Sequence, residues 1–88
     1  IGGNAEEIRR NAEVLIPSYA EKTRKTLASV RGQLGPDYGS LVENVEAYVS
    51  DAERFLTDGE DELAMLNIGY AEGLLDALGL TGKIKIEW

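Results

Sequence analysis

Apolar positions recur at helical spacing along most of this chain. Ala5, Ile8, Ala12 and Leu15 follow one another at intervals of three and four, with Asn4 ahead of them as an N-cap and Glu7 at the third helical position. Ala20, Thr23, Leu27, Val30 and Leu34 repeat the pattern behind Ser18 and Glu21, a second capping box. Pro17 stands between the two stripes, without a backbone N–H and with a ring that crowds the preceding turn. The spacing predicts helices near 5–16 and 19–33. Because Ile16 and Ala20 join the stripes, one long helix bent at Pro17 is the alternative.

Gly32, Gly35, Pro36 and Gly39 mark a reversal of the chain. Ser40 and Glu43 then open a helix over 41–57, whose stripe is Leu41, Val45, Tyr48, Ala52 and Phe55. Asp58 and Gly59 end it, Gly being the usual residue just past a helix C-terminus. The last helix, over 61–79 with Asp61 as cap, is apolar on most of its circumference, a pattern expected of a central helix. Within it Gly69, Gly73 and Ala77 form a smooth ridge, expected to let another helix of the bundle approach closely. After Thr81 and Gly82, residues 83–88 alternate polar and apolar with period two, which predicts an extended strand. The chain as a whole therefore reads as all-α: a single domain over 1–88, built as an antiparallel three- to four-helix bundle with a short C-terminal extended segment.

Composition narrows what such a bundle can do. With 88 residues, 43% of them hydrophobic, the chain can bury one core and no more. It has no Cys, so no disulfide or thiolate metal site supports the fold, and a cytoplasmic setting is the expectation. Sixteen acidic against nine basic residues give a formal net charge of -7, which opposes nucleic acid and anionic lipid. No uninterrupted apolar run approaches the roughly 18 residues of a membrane span. Ile1 is not an initiator Met, which fits a processed form or a piece of a longer protein.

The same residues leave little room for catalysis. There is no His, hence no Ser-His-acid triad and no Glu-x-x-His pair for a di-metal site. Glu72 and Asp76, one turn apart, are the minimum of a hard-cation site, but two solvated acids on a helix edge explain them more simply. Asp58, Glu60, Asp61 and Glu62 crowd one turn without the loop length, central Gly or distal Glu of an EF-hand, and they suit the positive end of a helix dipole. Gly2-Gly3 and the 32–39 stretch lack the Gly-Lys-Ser/Thr of a phosphate loop. Basic residues gather in the first third, which predicts ion pairs between the first and later helices, or a head-to-tail contact between chains. Tyr48 and Tyr70 fall on apolar stripes and are expected in the core rather than in a ligand pocket.

Asn44-Val45-Glu46-Ala47-Tyr48, Asp51-Ala52, Phe55-Leu56, Asp58-Gly59 and Ala64 through Tyr70-Ala71-Glu72-Gly73-Leu74-Leu75-Asp76-Ala77 resemble the archaeal helical-bundle family labelled domain of unknown function 357. The resemblance lies mainly in the second half; Tyr19 to Leu34 fits by periodicity, and the stretch before Pro17 falls outside it. It implies an antiparallel helical bundle and an archaeal source, with no assigned activity. Some members are joined to a nucleotidyltransferase-like domain. A looser likeness to tetratricopeptide hairpins covers one hairpin only, short of the three or so units that an array needs.

Two functions follow as expectations. The first is a non-catalytic protein-interaction or scaffold module, binding a protein partner or a second copy through Ile84, Ile86 and Trp88 by strand addition or as apolar anchors. Its counterpart is a tail that folds back over its own bundle. The second is a C-terminal accessory domain of a larger enzyme, such as a nucleotidyltransferase. No catalytic, cofactor-binding or metal-binding residue is expected.

Overall fold

The computed structural model describes residues 5–35, 38–82 and 84–86, so the Asn4 cap and Trp88 lie outside the described residues. Three helices account for most of it: α1 (Ala5–Arg31), α2 (Gly39–Thr57) and α3 (Asp61–Leu80). Among the described residues there is no strand.

Of the two alternatives at Pro17, two helices or one long one, the structure has the second: α1 runs without interruption from Ala5 to Arg31. The reason is visible in the burial pattern. Ala12, Ile16, Ala20, Thr23, Leu27 and Val30 form one buried stripe on both sides of the proline, while Pro17 and Glu13 are exposed. The Glu13 carbonyl that loses its N–H partner is therefore on the wet side, where water satisfies it. Twenty-seven residues at 1.5 Å each give a rod of about 40 Å, and the molecule measures 43 × 22 × 18 Å. α1 thus sets the long axis.

Asp58 and Gly59 end α2 as the sequence predicts, with Gly59 at φ 80°, a left-handed value that favours glycine. The caps at the two following starts differ from expectation. Ser40 lies inside α2, which begins one residue earlier, and Tyr38 occupies the cap position without a side-chain hydrogen bond. Asp61 is the first residue of α3 rather than its cap; Glu60 precedes it, also without a side-chain cap bond.

α2 and α3, joined by three residues, form a hairpin, and α1 lies along it. Arg9 near the start of α1 meets Asp61 at the start of α3, and Gln33 just after α1 meets Lys85 just after α3, so these two helices run parallel. Val42, Val45, Val49 and Ala52 of α2 and Ala64, Ile68, Ala71, Leu75 and Leu78 of α3 complete the core with α1. The predicted ion pairs between the first helix and the others are present: Arg9–Asp61 and Arg31–Glu46 at 2.6 Å, and Arg24–Glu53.

Candidate functional site

The buried stripe of α3 uses only one side of an apolar helix. On the opposite side Leu63, Leu66, Tyr70, Gly73, Ala77 and Leu80 alternate at spacings of three and four, and all six are exposed. Leu63 is 42% exposed, Leu66 51%, Tyr70 51% and Leu80 89%. The expectation of a central helix is corrected accordingly. In a three-helix bundle α3 has two neighbours, and the side that a fourth helix would cover stays open.

The small ridge lies on this open side. Gly69, Gly73 and Ala77 are exposed, and a Cβ added at Gly69 or Gly73 would meet nothing within 4 Å. No helix of this bundle uses the close approach they permit. Tyr70, expected in the core, is instead half exposed and leans on Tyr48 of α2, ring centroids 5.5 Å apart and planes at 48°. That tilted pair props the Tyr70 ring above the surface. Asn67, one turn before Ala71, donates to the Leu63 carbonyl of its own helix at 2.8 Å.

Each end of the exposed stripe adjoins a shallow hollow. At the N-terminal end Ile8, Glu60, Glu62, Leu63 and Leu66 line about 410 Å³. At the C-terminal end Asp76, Gly79, Leu80, Ile84, Lys85 and Ile86 line about 610 Å³. One end is acidic, and the other carries one acid, Asp76, and one lysine, Lys85.

The described part of the tail folds back on the bundle. Ile84 is 6% exposed and belongs to the core, and Ile86 lies over Gly79, where a Cβ would touch it at 3.5 Å. The Gln33 side-chain amide holds the Lys85 backbone from both sides, accepting from its N–H at 3.1 Å and donating to its carbonyl at 3.3 Å. These two bonds do for residue 85 what a neighbouring strand would have done. Of the three residues expected to bind a partner, two thus pack on the chain itself, and Trp88 lies outside the described residues.

Ion pairs among the described residues run both across helix–helix edges and within single helices. The Arg24 guanidinium, hydrogen-bonded to Glu53, holds that carboxyl below the ordinary range. Partial burial pushes Glu72 up, with Asp76 adding to it and Lys22 opposing. Asp61, one of the acids crowded at the start of α3, pairs with Arg9, whose guanidinium also donates to the Leu56 carbonyl at 2.8 Å. Among the described residues no three acids, or other metal-capable side chains, come together. By length and composition α3 is apolar enough to cross a membrane, with 28% of that stretch buried in the bundle. It carries Asp61, Glu62, Glu72 and Asp76, and its core stripe packs against both other helices.

No curated protein and no solved structure matches the chain. A family profile does, over residues 18–84. The match is wider than the second-half resemblance, taking in all of α1 beyond Pro17, the whole hairpin and the start of the tail. By that match the chain belongs to the family described as "Protein of unknown function (DUF357)".

Proposed function

We propose that the chain is a non-catalytic protein-interaction module whose contact surface is the outer face of α3, with the tail serving as a strap. The observation that carries this reading is the single exposed stripe from Leu63 to Leu80 on a helix whose other side is core. Soluble domains seldom leave a long row of large apolar side chains in water, and contiguous patches of several hundred Å² mark contact sites. Tyr70 is the anchor of choice, a propped aromatic of the kind that dominates interface energetics. Docking through the tail is the weaker mechanism, since Ile84 would have to leave the core first.

A photo-reactive residue placed at Leu66 in cells tests this. Adducts of defined mass are expected there, lost on Tyr70→Glu, and absent when the probe sits at the exposed Lys25 of α1. Equal labelling at both positions, or none at Leu66, overturns the reading.

A further inference from the structure

We infer that the exposed stripe of α3 is covered by the same stripe of a second copy of the chain, running antiparallel about a two-fold axis at the level of Ala71 and Glu72. The inference rests on the reading of α3 as a contact surface and names its occupant. The 3–4 alternation of the stripe is that of a heptad seam, which lets two helices cross at about 20° and stay in contact along their length. Leu63 to Leu80 spans about 26 Å at 1.5 Å per residue.

The stripe is bulky in its first half and small in its second. Antiparallel pairing sets Tyr70 over Gly73 of the other copy, Leu66 over Ala77 and Leu63 against Leu80, so knobs meet holes. Parallel pairing in register would put Tyr70 on Tyr70 and leave a void between the two Gly73 positions. Charge selects the same orientation. The acidic hollow beside Leu63, with Glu60 and Glu62, then faces the end beside Leu80, where Asp76 and Lys85 offset each other, and not the same acids of the other copy. A parallel pair would place the acids of both copies together. With a large side chain taken as about 150–250 Å², the four exposed ones leave on the order of 400 Å² open per copy. Gly73, Ala77 and the rims bring a pair to about 1,000 Å² in total, the threshold of a specific interface.

Sedimentation equilibrium of the full chain reads the result directly. The mass is expected to rise from 9.6 kDa to twice that value as concentration passes from the order of 1 μM to 1 mM. Gly73→Leu separates interface from fold. The monomer has nothing within 4 Å of that position, so the melting temperature is not lowered, while the new side chain occupies the place of the other copy's Tyr70 and weakens association at least about tenfold. Orientation is read by introduced cysteines, the chain having none of its own. A mixture of Leu66→Cys and Ala77→Cys chains treated with a short bis-maleimide gives crosslinked heterodimers, and Leu66→Cys alone does not crosslink. A monomer at the highest concentration, self-crosslinking of Leu66→Cys, or undiminished association of Gly73→Leu each overturns the inference. Foreign adducts at Leu66 together with a monomeric chain would remove the self-pairing alone and leave the contact surface standing.

Discussion

Where α1 passes α3, Glu72 is drawn partly out of water beside Asp76, with Lys22 the opposing charge. Its raised folded-state pKa means that the native chain holds this proton more tightly than the unfolded chain does. Stability from this group is therefore full at low pH and falls as pH rises through the folded pKa. Glu72→Gln is expected to raise the urea midpoint at about pH 7 and to leave it unchanged at about pH 3. After screening, the gain is about a few tenths of a kcal/mol. Glu53 has the opposite sign: Arg24 lowers its pKa, so its contribution is lost as pH falls through the folded value. Neither assignment was legible in the sequence, which gives the charges but not which pair faces across helices. Tyr70 shows the same limit. Periodicity placed it on an apolar stripe, yet α3 has two such stripes, and only the packing of α1 and α2 decides which one faces inward.

At the scale of elements, the hairpin was legible because local chemistry and periodicity agree there. Its ends come out at Gly39–Thr57 and Asp61–Leu80, within two residues of expectation, with Gly59 in the left-handed turn. Pro17 is the counter-example: local propensity argues for a break, and the buried stripe through Ile16 and Ala20 overrides it. Pro17→Ala restores the N–H that the Glu13 carbonyl lacks. It is expected to raise stability by about 2 kcal/mol, within the roughly 3 kcal/mol that separates Pro from Ala in a helix interior. Thermal denaturation of the two chains checks this. A fall in melting temperature would instead mean that Ala12 and Ile16 reach the core only through a bend at the proline.

For the whole molecule, the tail closes the end of the bundle where α1 and α3 finish. Ending the chain at Gly82 removes Ile84 from the core and both bonds to Gln33. Burial of one large aliphatic side chain, with the cavity it leaves, sets the loss at about 2–4 kcal/mol, seen as a lower melting temperature and faster amide exchange near Val30 and Leu78. An unchanged melting temperature would show that the strap is dispensable. The period-two pattern of the tail predicted an extended segment but not its partner, because a side-chain amide supplies the bonds that a strand would have made. The all-helical class was legible from spacing; the open side of α3 was not, since a sequence does not state how many helices share a core.

The connection from α2 to α3 is three residues, Asp58 to Glu60, while α1 reaches α3 by contacts about fifty positions apart in sequence, such as Arg9 with Asp61 and Lys22 with Glu72. Folding speed follows such separations, and short-range pairs close first. The hairpin is thus the natural nucleus, and α1, although made before both, has Ala12, Ile16 and Val30 fully covered only once α2 and α3 are in place. Its nine charged residues from Glu6 to Lys25, namely Glu6, Glu7, Arg9, Arg10, Glu13, Glu21, Lys22, Arg24 and Lys25, pair or face solvent and keep the unaccompanied helix soluble during that interval.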